Sequence, residues 1–536
     1  MGKTTNTDRV RRTAREVFGH RRLLPGQLEA VTALLEGHDV LLVAPTGAGK
    51  SLTYQLAGVL TDGCCVVVSP LLALQQDQVD SLTTDGVDLR AARLSSAESA
   101  GRRDEILDDI AAGELDFVFC SPEQLANDEV RTRLAAARPS LVAVDEAHCV
   151  SAWGHDFRPD SLRLGELVQE LGEPRIVAMT ATAALPVRED VVERLRLRDH
   201  RIVVTGFVRE NLALRVAAVA GEDEQRDTVV ELAAQSGGQG IVYCRTRRSA
   251  EDYARLVEES GRPAALYHAG LRKAQRDEAH EAFMDDRVEV MVATSAFGMG
   301  IDKPDIRWVV HAEVPESPDT YYQEVGRAGR DGEPATGTLV YRSEDLALGK
   351  FFAGGVPRRA DVAAVVMALD GLDPGPARVA EVRERTGLGP RRAGRVLNLL
   401  DEVCTDHRDL GQKKAVEAVL ERAEAYRLLR ESRVEMMRGY AETDRCRSAY
   451  LVGYFGEQLD EVCGICDTCE AGVAEPLVTA RDGRFAVQAR VEHEEFGIGT
   501  VTDVEEDRIT VLFEDVGYRT LSLEVVEEQD LLVPAG

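Results

Sequence analysis

Residues 40–51 read VLLVAPTGAGKS, an apolar run that leads into a glycine-bearing loop and then into a helical pattern. A strand, a loop and a helix in this order form the context that a phosphate-binding loop requires. We expect backbone N–H groups around Thr46, Gly47 and Gly49 to surround phosphate oxygens at the helix N-terminus. Lys50 would neutralise charge on the β- and γ-phosphates, and the Ser51 hydroxyl would bind Mg²⁺. A chance glycine turn is the alternative, which the flanking strand and helix disfavour.

Two adjacent acidic residues, Asp145 and Glu146, end another apolar run at residues 141–144. Adjacent residues of a strand point to opposite sides, so the two carboxylates face different partners. Asp145 is suited to hold Mg²⁺ through water, and Glu146 is suited to orient an attacking water. A solvated acidic turn is the alternative, and the loop upstream makes it the weaker interpretation.

Residues 323–330 read QEVGRAGR and place Arg327 and Arg330 three residues apart, near neighbours on one helical face. Arginines supplied across a cleft can stabilise charge on the γ-phosphate in the transition state. The sequence leaves open a second interpretation, in which both arginines belong to a solvated helix face.

The composition predicts a folded protein with strong negative charge. The chain has 536 residues, of which 44% are apolar, and 93 acidic against 64 basic residues give a formal net charge of −29. Such a charge repels nucleic acid as a whole, so binding would need a local basic track. Solubility is the simpler explanation of the acidity. No run of 18 uninterrupted apolar residues predicts a membrane span, and residues 1–12 lack the apolar core of a secretory signal.

Apolar runs alternate with helical patterns twice, over residues 18–204 and 206–341. This rhythm predicts two tandem α/β domains, each with a parallel sheet between helices. We place the domains at residues 1–205 and 206–342. They are followed by a helical linker at 343–432, a metal-binding region at 433–470, a spacer at 471–483 and a small β domain at 484–536.

The chain resembles superfamily-two helicases, and within them the RecQ family. The resemblance runs from residue 18 to residue 332 and resumes at Cys446. The stretches that carry it are residues 25–27, 69–71, 121–123, 145–148, 180–182, 209–211, 267–270, 296–300 and 323–330. The resemblance implies two RecA-like domains that close on ATP and Mg²⁺ and move 3′→5′ along one DNA strand.

The resemblance also assigns roles near the nucleotide. Gln27 is similar to the family's adenine-reading glutamine, although Leu24 and His20 stand where the family usually has an arginine and an aromatic residue. Residues 153–160 resemble the family's aromatic-rich loop, which couples DNA to hydrolysis. Its candidate DNA contacts are the stacking rings of Trp153 and Phe157, with His155 and Arg158 beside them. A buried core position is the alternative for Trp153.

Four cysteines, Cys446, Cys463, Cys466 and Cys469, follow the spacing C-x16-C-x2-C-x2-C. Thiolates at such spacing bind tetrahedral zinc, and in a reducing compartment they indicate a metal site more than disulfides. An iron–sulfur cluster remains the alternative. The RecQ family has the same zinc motif. All four positions would be filled by protein, so we expect a structural role.

Residues 379–397 have the pattern of a helix, a turn containing glycine and a second helix that begins near Pro390. This is the helix-turn-helix pattern, and Arg391, Arg392 and Arg395 would lie where recognition helices contact DNA. A packed helical linker with a solvated basic face is the alternative.

Residues 484–536 have β alternation, and residues 491–513 resemble the small Tudor/SH3-like domain that ends UvrD-type helicases. This domain stands in place of the winged-helix and helical-bundle tail common in the RecQ family. Residues 484–530 contain thirteen acidic and four basic residues. We therefore expect a barrel that binds a basic protein surface and not DNA. A passive solubilising domain is the alternative.

Together these observations predict an ATP-dependent DNA helicase of RecQ type that uses ATP, Mg²⁺ and Zn²⁺. The expected substrates are single-stranded, forked or junction DNA in repair and recombination. We expect a cytoplasmic, nucleoid-associated protein without a membrane partner. Two alternatives stay open, an RNA-directed helicase of the same superfamily and a non-catalytic scaffold for DNA junctions or transcription complexes.

Overall fold

The structure is a computed structural model of the chain. It describes residues 5–70, 72–83, 89–95, 98–151, 163–298, 303–352, 355–369, 378–404, 411–474 and 485–535. The chain forms two compact units. The first contains Met1–Glu313, Asp319–Arg342 and Thr443–Pro476, and the second contains Val314–Pro318, Ser343–Glu442 and Leu477–Gly536.

The first unit begins with a seven-stranded sheet in the order β3-β4-β2-β5-β6-β1-β7, in which all paired strands are parallel. Its strands are β1 (Val40–Val43), β2 (Cys65–Val68), β3 (Ala91–Leu94), β4 (Phe117–Cys120), β5 (Leu141–Val144), β6 (Arg175–Thr180) and β7 (Arg201–Val204). Strands β1, β2, β4 and β5 are buried at every position. Parallel strands covered on both faces have such continuous apolar sequences.

Helices occupy the connections of this sheet. They are α1 (Asn6–Glu16), α2 (Gln27–Glu36), α3 (Lys50–Leu60), α4 (Leu72–Leu82), α5 (Ala100–Ala111), α6 (Pro122–Leu125), α7 (Asp128–Ala136), α8 (Leu164–Gln169) and α9 (Leu185–Arg194), with a 3₁₀ helix at Ala147–Val150. Helices α1, α2 and α3 bury Val10, Leu34 and Leu56 against one face of the sheet, next to Leu42 and Phe117. The apolar residues of these helices therefore form one core with the sheet.

A second parallel sheet follows in the same unit, in the order β10-β11-β9-β12-β13-β8. Its strands are β8 (Leu212–Ala218), β9 (Gly240–Tyr243), β10 (Ala264–Tyr267), β11 (Val290–Ala293), β12 (Trp308–His311) and β13 (Ala335–Tyr341). Its helices are α10 (Glu222–Gln235), α11 (Arg247–Glu259), α12 (Lys273–Met284) and α13 (Pro318–Val325). The two tandem parallel-sheet domains confirm the predicted fold class.

The helical part of the second unit consists of α14 (Asp345–Phe352), α15 (Arg359–Ala368), α16 (Arg378–Thr386), α17 (Pro390–Val403) and α18 (Gln412–Glu442). Helix α17 has proline in its first turn, where the missing N–H costs nothing. Gly387, with φ +69°, turns the chain between α16 and α17. Helix α18 is continuous for 31 residues. It therefore passes without a break through residues 432 and 433, where the sequence placed the start of the metal-binding region.

The first unit also contains α19 (Arg447–Tyr454) and α20 (Asp467–Glu470), and the second unit ends in a small antiparallel sheet. The sheet has the order β17-β16-β15-β14-β18, with β14 (Arg490–His493), β15 (Gly497–Val504), β16 (Arg508–Phe513), β17 (Gly517–Ser522) and β18 (Leu532–Pro534). Helix α21 (Leu523–Glu528) precedes β18. The sequence alone did not reveal this helix. This sheet confirms the predicted all-β C-terminal domain.

The small β domain is seated on helix α18. The Tyr518 N–H donates to Ser432 Oγ at 3.0 Å, and a Cβ at Gly517 would lie 2.9 Å from the Leu429 Cα. Gly517 also has φ +74°, so glycine is required here for both close approach and backbone conformation. Strand β17 and α18 therefore share a tight, buried interface.

Candidate functional site

The loop between β1 and α3 has the backbone of a phosphate-binding loop. Gly47 has φ +84°, and Gly49, with φ +63°, precedes the first residue of α3, Lys50. A Cβ at Gly49 would lie 2.8 Å from Gln27 Nε2, so no other residue type fits without a shift. The N-terminus of α3 thus presents backbone N–H groups in the geometry that anions prefer.

The side chains of Lys50 and Gln27 hold this loop. Lys50 Nζ donates to the carbonyl oxygens of Ala44 at 3.1 Å and Pro45 at 3.3 Å. Burial lowers the pKa of Lys50, while the carboxylates of Glu146 and Asp145 oppose that shift. Lys50 therefore stands near both acidic residues.

Gln27 is 2% exposed, and both ends of its side-chain amide form hydrogen bonds with backbone groups. Its Oε1 accepts from the Leu24 N–H at 2.8 Å, and its Nε2 donates to Gly49 O at 2.8 Å and to Ala48 O at 3.2 Å. Gln27 thus links the segment that would face the base to the loop that would face the phosphates.

Asp145 and Glu146 follow β5 at the C-terminal edge of the sheet. Burial and the neighbouring Glu146 raise the pKa of Asp145 to about 7, while Lys50 and the Ser69 side chain lower it. Glu146 has φ +49°, an uncommon left-handed conformation for glutamate. Its Oε2 is buried and accepts no hydrogen bond from the described residues. A buried carboxylate oxygen without a hydrogen-bond donor is expected where a bound water or ligand supplies that donor.

The Glu146 segment is tied to the strand that lies next to β5. His148 Nδ1 lies 3.4 Å from Glu146 Oε2 and 2.9 Å from Thr180 Oγ1. Thr180 Oγ1 in turn donates to Thr182 O at 3.0 Å. Residues 180–182, known from the sequence only as a family stretch, therefore fix the imidazole beside Glu146.

One of the two predicted arginines of the second domain contacts the phosphate-binding loop. A Cβ at Gly47 would lie 3.1 Å from Arg330 Cγ, so the stem of Arg330 rests against the phosphate-binding loop. Arg327 is 3% exposed, and its buried Nε donates no hydrogen bond to any described residue. Its guanidinium also lies near Gly298, where a Cβ would be 3.2 Å from Nη2. Arg330 thus borders the nucleotide loop, whereas Arg327 is buried beside Gly298 of the second domain.

The structure reveals a role for Arg209 that the sequence did not assign. Arg209 Nη1 donates to Gly326 O at 3.0 Å, and Nη2 donates to Ala328 O and Gly329 O, each at 2.9 Å. Burial lowers the pKa of this guanidinium. Asn211 Nδ2 adds a hydrogen bond to Gly329 O at 2.8 Å. These contacts hold the backbone of the loop that carries Arg327 and Arg330.

The assembled residues fit a nucleoside triphosphate with Mg²⁺. The loop offers a cradle that only glycine fits, and Lys50 supplies a cation beside it. The Ser51 hydroxyl and the Asp145 carboxylate are oxygen donors of the kind that Mg²⁺ prefers. Thr46 Oγ1 is buried without a hydrogen-bond partner among the described residues, as is Glu146 Oε2. Both are polar atoms that a bound nucleotide and its water would satisfy.

The aromatic-rich loop predicted to couple DNA to hydrolysis lies outside the described residues. This applies to Trp153, His155, Phe157 and Arg158, which follow the described 3₁₀ helix by a few residues.

The four cysteines of the predicted metal site lie together. The Sγ atoms of Cys446, Cys463, Cys466 and Cys469 all lie within 4.8 Å of one another. Tetrahedral zinc with Zn–S bonds of about 2.3 Å requires sulfurs about 3.8 Å apart. The Cys463 Sγ to Cys469 Sγ distance is 3.9 Å. The Cys463 N–H also donates to Cys446 Sγ at 3.3 Å, a contact that favours a thiolate. The donor set and its spacing fit structural zinc.

Cys466→Ser should remove the bound zinc and lower the melting temperature, because metal binding in such small sites is linked to folding. Metal analysis of the purified protein should find one zinc per chain in the wild type and less in the variant. Cys404→Ser is the matched control, since Cys404 is a partly exposed cysteine outside the cluster. Iron with visible-range absorption in the wild type would contradict the zinc assignment.

The arginines of the predicted recognition helix divide into two kinds. Arg392 is exposed but forms an ion pair with Asp361 of α15. Arg391 and Arg395 are exposed. Burial lowers the pKa of Arg430 in α18, and the positive charge of Arg395 lowers it further. Arg430 therefore lies near Arg395 and adds to this surface. The sequence gave no signal for Arg430, which lies on a separate helix.

Among the helices that the structure describes, none combines the length and the apolarity needed to cross a bilayer.

Comparisons with known proteins match this chain to helicase and zinc-binding families. The DEAD/DEAH box helicase family model matches residues 24–191, the helicase conserved C-terminal domain matches residues 224–332, and the RecQ zinc-binding family matches residues 406–470. The probable ATP-dependent DNA helicase RecS of Bacillus subtilis is 34% identical over 467 residues, which cover 86% of this chain and 91% of RecS.

Two RecQ proteins are also similar. The ATP-dependent DNA helicase RecQ of Haemophilus influenzae is 33% identical and covers 85% of this chain, and that of Bacillus subtilis is 40% identical over 337 residues. The matched regions span only 62% and 56% of these two relatives.

Solved structures share the fold. The helicase MrfA bound to DNA gives a TM-score of 0.53 at 20% identity, covering 65% of this chain and 50% of MrfA. The Mycobacterium smegmatis helicase Lhr bound to single-stranded DNA and AMP-PNP gives 0.51 at 24% identity, covering 74% of this chain and 57% of Lhr.

Proposed function

The chain belongs to the RecQ family of superfamily-two helicases, and on that basis we propose that it couples ATP hydrolysis to the unwinding of duplex or structured DNA. The observation that carries the proposal is the convergence of Lys50, Glu146 and Arg330 on one glycine-lined loop. A silent scaffold would have no need for this convergence. DNA repair and recombination are the processes that such an activity serves, and its substrate would keep the protein at the nucleoid in the cytoplasm.

In the proposed reaction each residue has a distinct task. Lys50 offsets negative charge on the β- and γ-phosphates, and Glu146 orients the attacking water. Arg330 stabilises the charge that develops on the γ-phosphate, and Arg327 is the second candidate for that task. Mg²⁺, held through Ser51 and Asp145, would neutralise charge on the phosphate oxygens. Gln27 contributes by fixing the loop beside the base.

The test compares partial duplexes that carry either a 3′ or a 5′ single-stranded tail, with ATP and Mg²⁺. We expect unwinding of the 3′-tailed duplex and stimulation of ATP hydrolysis by single-stranded DNA. Lys50→Ala is the control for hydrolysis by a contaminant. Stimulation by RNA alone would favour an RNA-directed helicase, and wild-type protein without ATP turnover would favour a scaffold.

DNA contact by the aromatic-rich loop is part of the proposal. Trp153 and Phe157 would stack on bases, and His155 and Arg158 would add polar and charged contacts. The position of the loop soon after Glu146 in the chain supports coupling between DNA binding and hydrolysis.

We also propose that Arg391 and Arg395 bind DNA phosphates, with Arg430 beside them. The double variant Arg391→Ala with Arg395→Ala should weaken binding to forked DNA and reduce the salt dependence by about one unit of slope per lost phosphate contact. Arg359→Ala is the control, because Arg359 is exposed on α15 but is paired with Glu417 at 2.7 Å. Equal binding by the double variant and the control would contradict this surface.

The β domain is proposed to bind a basic protein surface. Its acidic residues Glu506, Asp507, Glu524, Glu527 and Glu528 line one groove. A fluorescent lysine-rich peptide should bind the wild type more tightly than a variant with glutamine at the three positions of α21. Deleting the domain is a poor test, because the deletion would uncover α18 at Leu429 and Ser432.

A further inference from the structure

A turn in the zinc-binding region, residues 455–457, packs on the linker between the two parallel sheets, residues 205–211. The rings of Phe455 and Phe207 are stacked, with centroids 4.4 Å apart and planes inclined by 14°. Tyr322 of α13 packs edge-on against both rings, at 5.7 Å from Phe207 and 5.1 Å from Phe455. Phe207 is therefore enclosed by aromatic rings from two separate parts of the chain.

The backbone of Phe207 is fixed by the same neighbours. The Tyr322 hydroxyl donates to Phe207 O at 2.8 Å. The Glu457 carboxylate lies next to the linker, where a Cβ at Gly206 would be 3.9 Å from Oε2. Burial raises the pKa of Glu457, and the charge of Arg188 and the Phe207 backbone oppose that shift. The ring and the backbone carbonyl of one linker residue are thus held by the zinc-binding region and the second domain.

The first domain holds the turn through Arg188 of α9. Arg188 is 4% exposed, and a buried guanidinium requires partners. Its Nη2 donates to Phe455 O at 3.2 Å, and its Nε donates to Ala183 O at 2.9 Å. The Glu457 carboxylate lies 4.0 Å from Nη2. Ala183 directly follows residues 180–182, which fix His148 beside Glu146.

Two residues beyond Phe207, Arg209 holds the loop that carries Arg327 and Arg330. The conformation of the linker therefore sets where that loop stands relative to the phosphate-binding loop. Positioning matters for such a residue, because a misplacement of about 1 Å can cost about 10²-fold in rate.

We propose that the turn at residues 455–457 positions the linker for ATP hydrolysis, with Glu457 as a positioning residue that acts through the linker and Arg209. This inference rests on the proposed ATP hydrolysis. It gives the zinc-binding region a part in turnover at the nucleotide site, through protein contacts alone.

Glu457→Ala in the full chain should lower the kcat of DNA-stimulated ATP hydrolysis about tenfold. The KM for ATP should stay within about twofold and zinc should remain at one per chain, since Glu457 contacts neither site. Glu457→Gln keeps the size of the side chain and an oxygen that faces Arg188 and Gly206, and it should recover most of the rate. Glu470→Ala is the matched control in the zinc-binding region, because Glu470 pairs with Arg215 at 2.7 Å on an exposed face.

Unchanged kcat in Glu457→Ala would overturn the proposal, as would an equal fall in Glu470→Ala or a fall that accompanies zinc loss. If Glu457→Ala is insoluble, Phe455→Leu provides the same comparison, because leucine keeps apolar volume but loses the ring stacking. An equal kcat in Phe455→Leu and the wild type would then overturn the proposal. A wild-type protein without ATP turnover would instead defeat the proposed function.

Discussion

Glu146→Gln should lower DNA-stimulated ATP turnover by about 10²–10⁴, the usual contribution of a residue that accepts or orients a proton in the reaction. The substitution keeps the shape of the side chain and removes the carboxylate charge. Glu146 is suited to this role because its buried Oε2 accepts no hydrogen bond from the described residues, so a water bound with the nucleotide would be its donor. Steady-state hydrolysis measured together with the dissociation constant of a fluorescent ATP analogue separates turnover from binding.

ATP binding should persist in Glu146→Gln, whereas Lys50→Ala should lose both binding and turnover. The control is Glu129→Gln, the same chemical change at an exposed position of α7. Robust DNA-dependent turnover by Glu146→Gln would remove Glu146 from the reaction and leave its left-handed backbone without a functional explanation.

Arg330→Ala should lower kcat by about 10³–10⁵, the range found for arginines that stabilise a transferring phosphoryl group. The affinity for ATP should change far less, because the charge that Arg330 meets develops mainly in the transition state. Arg330 already lies against Gly47, so we expect a larger effect than for Arg327→Ala. Single-turnover hydrolysis at saturating ATP is the measurement.

Arg287→Ala is the control for Arg330→Ala, since Arg287 is 53% exposed and 3.7 Å from Asp285, away from the loop. A variant at Arg330 that loses ATP affinity but retains kcat would show that the guanidinium is only a ground-state contact. The kcat of Arg327→Ala would then decide whether the neighbouring arginine has the transition-state role.

The central strands of both domains were predictable from the sequence, and the edge strands were not. Strands such as β2 and β5 are buried on both faces and are continuous apolar runs. Strands β3, β7, β8 and β10 lie at the four edges of the two sheets. Each is partly exposed, and β10 has no fully buried residue, so its sequence lacks the apolar signal.

The functional site was also only partly predictable from the sequence. Lys50, Asp145 and Glu146 could be predicted because each belongs to a short pattern that has chemical meaning by itself. Arg209 and Arg188 could not, because their partners are distant in the chain. Arg209 binds a carbonyl 117 residues away, and Arg188 binds one 267 residues away. No local spacing records such contacts. The end of α18 was equally hidden, since its composition continues unchanged past residue 433.

The contact of Gly517 and Tyr518 with α18 has a consequence for how a bound protein would be carried. A domain on a free tether samples a wide volume, and the effective concentration of its cargo falls with tether length. This β domain is instead fixed to the middle of a 31-residue helix that is about 46 Å long. A protein bound to the β domain would keep a constant orientation to α17 and its arginines. The second unit would then hold a captured protein and a DNA strand at a fixed distance and orientation to each other.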